Sequence, residues 1–169
     1  MKNTLKQGGK NMKSRQDTAK LIFTAGLIGG LMEILWVSFY GLVTNTPVLP
    51  VSQEITATLV GSSTLSVTPG ILGIAAHMLL SLLLSAVFVL GLWQPFVSQR
   101  TPLLGMVSAL AALTLVWAVN FFVVLPIINP RFVTLLPMGV TLTSKMLFGL
   151  GMGAFLVLRS RVTSRVAHS

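Results

Sequence analysis

The chain has 169 residues, of which 53% are hydrophobic and only 9% are charged. Soluble domains carry about 25% charged residues, so this composition indicates an integral membrane protein without a separate soluble domain. A net charge of +9 is compatible with nucleic-acid binding, but the basic residues lie almost wholly at the two ends, beside apolar segments. That distribution indicates membrane topology and contact with anionic lipid, with no nucleic-acid partner. Cysteine is absent, which excludes disulfides, thiolate metal sites and cysteine nucleophiles.

Hydropathy and the positions of proline and glycine predict an all-α fold, an integral membrane four-helix bundle. The expected spans are 21–43, 71–93, 102–125 and 137–158. The first is about 34 Å long at about 1.5 Å per residue, which is enough to cross a bilayer. It is too long for the apolar region of a signal peptide, so we expect it to be retained. Basic tails are expected at 1–20 and 159–169, the first of them mobile until a helix begins at Asp17 or Thr18.

Positive charge is distributed asymmetrically across these spans. Ten of the twelve basic residues lie on the side of the two tails, whereas Arg131 alone lies in the segments on the other side. By the positive-inside rule, both termini are expected in the cytoplasm and the long connection 44–70 outside. The expected location is the inner, or plasma, membrane, as a multi-pass protein.

The long outer connection contains the signals of a short helix. Ser52 is a candidate N-cap, Gly61 is a candidate stop, and the apolar residues between them recur at intervals of four. We expect an interfacial or re-entrant helix there. The alternative is a mostly extended surface loop.

Each predicted span contains one conspicuous polar residue: Glu33, His77, Asn120 and Lys145. All four lie within about 15 Å of the expected outer ends of their spans, on or near the helix faces that carry small residues. A charged group at membrane depth costs at least about 2.5 kcal/mol, so Glu33 needs a partner, a wet cavity or a proton. The sequence therefore predicts an outward-facing polar cluster, with Glu33 and Lys145 as a candidate ion pair. Trp36 and Tyr40 are further candidates for a ligand or proton site.

These polar residues also have simpler explanations. A Glu–Lys pair can serve only to fix helix register, and Asn120 can serve only to form a hydrogen bond between helices. His77 is more often a hydrogen-bonded packing residue than a metal ligand. No second carboxylate lies nearby in sequence, and the chain contains no H-E-x-x-H, P-loop or G-x-S-x-G pattern, so we predict no catalytic residue, metal or cofactor.

Three short motifs are shared with a known group of proteins: Gly73 with His77, the exit of the third span from Trp117 to Pro126, and Lys145 with Gly149 and Gly153. In these motifs the chain resembles small four-span prokaryotic integral membrane proteins of unknown function. The resemblance covers about residues 26–158 and implies a membrane location and no known activity. In those proteins the position of Lys145 is often His, and this departure weakens any shared metal or proton role. A looser similarity, through Glu33 alone, is to small multidrug transporters, although the long outer loop does not match.

The function expected from this pattern is non-enzymatic binding of a partner protein, lipid or small ligand through the polar cluster. The alternative is a small proton-coupled transporter in which Glu33 exchanges a proton and a substrate. A metal-dependent or hydrolytic membrane enzyme comes third. Expected partners are the lipid bilayer and either a second copy of the chain or a membrane complex.

The charge asymmetry leads to a prediction about topology. Reporter fusions at Met1, Arg100 and Ser169 should indicate a cytoplasmic location, and a fusion at Thr58 an external one, because basic segments stay inside. Alkaline phosphatase and green fluorescent protein fused in parallel at each position measure the two outcomes. An external reporter at Arg100 would contradict the four-span arrangement.

Overall fold

The computed structural model describes residues 2–60, 69–97 and 101–166 of the chain. All of the regular elements in these ranges are helical. They are α1 (Lys2–Thr44), α2 (Leu49–Val60), α3 (Pro69–Phe88), α4 (Pro102–Val119), α5 (Leu125–Ile128), α6 (Pro130–Thr134) and α7 (Met138–Val166). Two π-helical segments, Val89–Val97 and Asn120–Val124, continue α3 and α4.

Four helical stretches are long and apolar enough to cross a membrane, as the sequence predicts. They are Arg15–Thr44, Gly70–Val97, Pro102–Ile128 and Met138–Arg161. Large apolar side chains face outward on them, for example Leu35 at 64% and Leu103 at 72% exposure. An apolar surface of this kind is unfavourable in water and suits a hydrocarbon solvent.

The first helix begins earlier than the sequence predicts. α1 is continuous from Lys2, so its helix begins well before Asp17 or Thr18. Lys, Gln and Arg, which are frequent in this segment, have good helix propensity, and no proline occurs before Pro47. At the other end of the chain, α7 likewise continues through Val166 into the predicted tail.

Both π-helical segments are associated with a proline. Pro95 lies inside Val89–Val97, and Pro126 follows Asn120–Val124 closely. Proline lacks an N–H and its ring clashes with the carbonyl four residues earlier, so a widened turn accommodates it without ending the helix. The second and third spans therefore extend to Val97 and Ile128, beyond the ends predicted from the sequence.

The connection between the first two spans contains α2, so the extended alternative is wrong for Leu49–Val60. Ser52 is not its N-cap. Pro50 occupies the first turn, where proline is favourable, and Ser52 Oγ lies inside that turn and donates to the Leu49 carbonyl at 2.9 Å. The predicted stop at Gly61 and the turn at Arg100 lie outside the described residues. The interfacial location of α2 stays a prediction.

Three interfaces hold the spans together in the described ranges. α1 packs against α3 and α7, and α4 packs against α7. Small residues allow these close approaches: a Cβ on Gly149 of α7 would lie 3.1 Å from the Ala109 carbonyl oxygen on α4. The interface between the second span and α4 is smaller, because these two meet mainly through the segment Val89–Val97. The helices therefore pack less closely between the second span and α4 than at the other three interfaces.

The two ends of the bundle also differ. The end where α1 begins and α7 ends, called the terminus end, has a dense core formed by Ala25, Phe88, Val89, Trp93, Val97, Ala109, Leu113, Phe148, Met152, Leu156 and Val157. Here the second span and α4 are in contact: a Cβ on Gly105 of α4 would lie 3.0 Å from the ring of Trp93. The opposite end, called the α2 end, is covered by α2, α5 and α6.

Gly73 determines how closely α2 can approach α3. A Cβ at this position would collide with the backbone of Ser52, so the two helices can be this close only if residue 73 is glycine. We therefore expect the substitution G73A to displace α2 and to lower the free energy of unfolding by about 1–3 kcal/mol, the usual cost of overpacking. Thermal unfolding in one fixed detergent measures the change.

The matched control for this prediction is G139A. A Cβ at Gly139, in the first turn of α7, meets nothing within 4 Å. G139A should be neutral or slightly stabilising, because alanine has the better helix propensity. An unchanged unfolding midpoint for G73A would contradict the close contact between α2 and α3.

Candidate functional site

Glu33 is buried on α1, with only 3% of its surface exposed. Its carboxylate contacts two adjacent residues of α7. Lys145 Nζ lies 2.8 Å from Oε1 and 2.9 Å from Oε2, and Ser144 Oγ donates to Oε1 at 3.2 Å. The ion pair expected from the sequence is therefore present, and it joins the first span to the last.

The ammonium group of Lys145 also lies near an aromatic ring. Its Nζ is 5.6 Å from the ring centroid of Phe148, which follows one turn later on α7. The negative face of an aromatic ring attracts a cation. Phe148 is itself fully buried and packs against Gly29 of α1, so its ring is fixed at the interface. Lys145 is thus held between a carboxylate and an aromatic ring.

His77 brings α3 into the same cluster. Its Nε2 lies 3.5 Å from Glu33 Oε2, which is long for a hydrogen bond. This nitrogen is buried, and among the described residues it has no hydrogen-bond partner. The nearby hydroxyl of Ser81 donates to the backbone carbonyl of His77 at 2.9 Å instead. The His77 ring therefore keeps hydrogen-bonding capacity that the described residues leave unused.

A cavity of about 870 Å³ lies beside the cluster. Its wall contains the four polar residues that the sequence places in one layer, namely Glu33, His77, Asn120 and Lys145. The remaining wall is mostly apolar and is contributed by all four spans and by α2 and α6, so the cavity extends toward the α2 end. Its size falls within the range of about 300–1,000 Å³ that is typical of small-molecule sites.

The cavity wall includes exposed residues on the side where α3 and α4 make few contacts with each other. Leu80 of α3 and Leu115 of α4 both line the cavity, and they are 41% and 65% exposed. Lining residues exposed to this degree place an apolar opening between the two helices. A molecule dissolved in the hydrocarbon of a membrane would meet this opening directly.

Asn120 stands in the cavity wall at the start of the π-helical segment Asn120–Val124. It is not among the partners of Glu33, and its side chain makes no hydrogen bond to another described residue. Single π-helical turns inside α-helices often mark functional positions, because the extra residue redirects a side chain. Asn120 thus faces the same space as the ion pair without belonging to it.

Trp36 and Tyr40, the other two predicted site residues, do not line this cavity. The Trp36 indole Nε1 donates to the Val140 carbonyl at 3.0 Å, which ties α1 to the start of α7. Trp117 makes the corresponding contact from α4, with its Nε1 donating to Thr141 Oγ1 at 3.0 Å. Trp36 is therefore a structural contact, and Tyr40 is half-buried near the end of α1.

A second polar group, at the α2 end, is not evident from the sequence. Asn129 Nδ2 donates to Glu54 Oε2 at 3.0 Å and to Thr58 Oγ1 at 2.8 Å, and Arg131 Nε lies 3.8 Å from Glu54 Oε1. These bonds tie α2 to the chain entering α6, over the α2 end of the cavity. In the sequence, this group could have been suspected from Glu54, a lone carboxylate in the long connection. The contact between Ser144 and Glu33 was not predicted either, although Ser144 is adjacent to Lys145 in the sequence.

Metal binding gains no support from the described ranges, which contain no group of three or more His, Cys, Asp or Glu that could hold an ion. No family model, curated protein or solved structure matches this chain. The resemblance to small four-span prokaryotic membrane proteins gains no support from these comparisons.

The contact between Glu33 and Lys145 should be visible as an energetic coupling. E33L or K145L leaves the other charge buried alone, which should cost about 3–5 kcal/mol, whereas the double variant removes both charges. The free energies of unfolding of the wild type, both single variants and the double variant give the coupling. We expect at least about 1 kcal/mol.

The control cycle combines K145L with E54L. Glu54 bonds to Asn129 and lies near Arg131, so its substitution should add to that of Lys145 without coupling. Strict additivity in the Glu33–Lys145 cycle would mean that the two side chains do not touch.

Proposed function

We propose that this protein is a non-enzymatic integral membrane protein that binds a membrane-soluble ligand, a lipid or a small molecule, in the cavity beside Glu33. The observation that supports it most is that a cavity of about 870 Å³ with mostly apolar walls contains Glu33, His77, Asn120 and Lys145 in its lining. Apolar walls with a few convergent polar groups are the usual composition of ligand sites.

The cavity also favours binding over a purely structural role for the ion pair. A pair that served only to fix helix register needs a packed interface, like the one that Phe148 and Met152 form at the terminus end. Here the pair stands in the wall of an open space. Carboxylate and ammonium groups that already hold each other can orient a ligand by hydrogen bonds without further rearrangement.

The proposed setting is the inner, or plasma, membrane, with both termini in the cytoplasm. The ten basic residues on the side of the tails, against Arg131 on the other side, support this orientation. In this orientation the α2 end faces outward, and the cavity lies in the outer half of the membrane.

Proton-coupled transport is the second candidate, and one observation favours it. Glu33, a carboxylate within the first span, lines the cavity. Against it stands the core at the terminus end, where Trp93 and Phe148 are buried between the spans. Proton release from purified protein on addition of a transported substrate, abolished by E33Q, would favour transport over binding.

Ligand occupancy tests the binding function directly. Protein purified in a mild detergent should carry a bound molecule, visible by native mass spectrometry as an added mass and identifiable after extraction. The substitution L80W should obstruct the opening of the cavity and reduce occupancy at least about tenfold, which corresponds to about 1.4 kcal/mol of binding free energy. Leu80 is suitable because it lines the cavity.

The matched control is L79W. Leu79 is 60% exposed on the same turn of α3 and does not line the cavity, so L79W should retain the ligand. Unfolding midpoints of both variants show whether they are folded. Wild-type protein without any bound molecule, or equal loss of ligand from two folded variants, would contradict the proposed function.

A further inference from the structure

Opposite charges already balance at the polar side of the cavity. The ionisable residues in its described lining are Glu33, His77 and Lys145. Lys145 Nζ lies 2.8 Å and 2.9 Å from the two carboxylate oxygens of Glu33, so these charges compensate each other. A charged group on a ligand would therefore bring an additional, unpaired charge to membrane depth, where it is unfavourable.

Two polar groups beside the ion pair retain hydrogen-bonding capacity. Within the described part of the chain, His77 Nε2 is buried without a hydrogen-bond partner, and Asn120 makes no side-chain hydrogen bond. His77 comes from α3 and Asn120 from the π-helical segment that continues α4, on either side of the opening. An imidazole and an amide pair well with a hydroxyl or a carbonyl, which need no compensating charge. Bonds to such a head group would satisfy the buried His77 nitrogen.

The opening between α3 and α4 supplies the apolar part of the site. The second span and α4 are in contact at the terminus end, where Trp93 packs against Gly105, and at the α2 end Asn129 is bonded to Glu54. Between these two contacts, the exposed apolar side chains of the opening line the cavity on α3 and α4. An apolar chain lying in this opening would contact both protein and lipid.

We propose that the ligand is an uncharged amphiphile, with a hydroxyl or carbonyl head group between His77 and Asn120 and an apolar chain in the opening between α3 and α4. This assignment rests on the proposed binding function and specifies the chemical class of its ligand. The Glu33–Lys145 pair orients the head group by hydrogen bonds and remains intact.

Two single-chain lipids test the head group. Monooleoylglycerol and oleoyl lysophosphatidic acid share the oleoyl chain and the glycerol and differ in the phosphate. Full-length protein in nonionic detergent, titrated with each lipid under native mass spectrometry, should bind monooleoylglycerol at least about tenfold more tightly. Tighter or equal binding of the phosphate lipid would overturn the uncharged head group and leave the proposed binding function intact.

Variants of Asn120 test its position at the head group. N120L removes the amide and should weaken binding of monooleoylglycerol about three- to tenfold, the effect of one hydrogen bond. N120Q keeps the amide and should retain most of the affinity. Equal affinities for wild type and folded N120L would remove Asn120 from the head-group site.

A photoactivatable diazirine at the end of the oleoyl chain locates the apolar part. Labelling should map to Leu80 or Leu115, at the opening, and should be absent from Leu79. Labelling confined to α2, or cross-links between two copies through α3 and α4, would contradict this position for the chain.

If neither lipid binds while the copurified ligand is still lost in L80W, the ligand class is wrong and the binding function stands. If no ligand appears in either experiment, both fail.

Discussion

The arrangement of the spans depends on two charges that cannot be buried separately. Glu33 and Lys145 would each cost about 2.5–3.5 kcal/mol at the centre of a membrane helix, and together they form a pair with atoms 2.8 Å apart. Because Glu33 is on the first span and Lys145 on the last, α1 and α7 must be neighbours. The other two spans then pack on either side of this central pair, α3 against α1 and α4 against α7.

This arrangement separates a packed half from a hollow half. At the terminus end, Phe148, Met152 and Leu156 are buried between the spans. At the α2 end, α3 and α4 make few contacts with each other, and the cavity lies beside a smaller core of Trp117, Phe121 and Leu125. The π-helical turn before Pro126 lies at this transition and brings Asn120 into the cavity wall.

Local patterns in the sequence account for what could be predicted. Long apolar runs define the four spans, and helical periodicity gives Glu33 and Lys145 faces on which they can meet. Features that depend on distant parts of the chain could not be found in this way. The bond between Asn129 and Glu54 joins residues 75 positions apart, and the open side between α3 and α4 follows from which helices are neighbours. Periodicity tells which face of a helix is buried, but it does not tell against which partner.

The distance in sequence between the two charges has a consequence for biosynthesis. Glu33 and Lys145 are 112 residues apart, so at about 5–20 residues per second the ribosome makes Lys145 on the order of 10 s after Glu33. During this interval the first span holds a carboxylate whose main partner does not yet exist, and His77 is the earlier of its two basic neighbours to be made. A nascent chain that stalls before the last span therefore holds Glu33 without Lys145, so the charge that compensates this carboxylate in the folded protein is added only when synthesis is nearly complete.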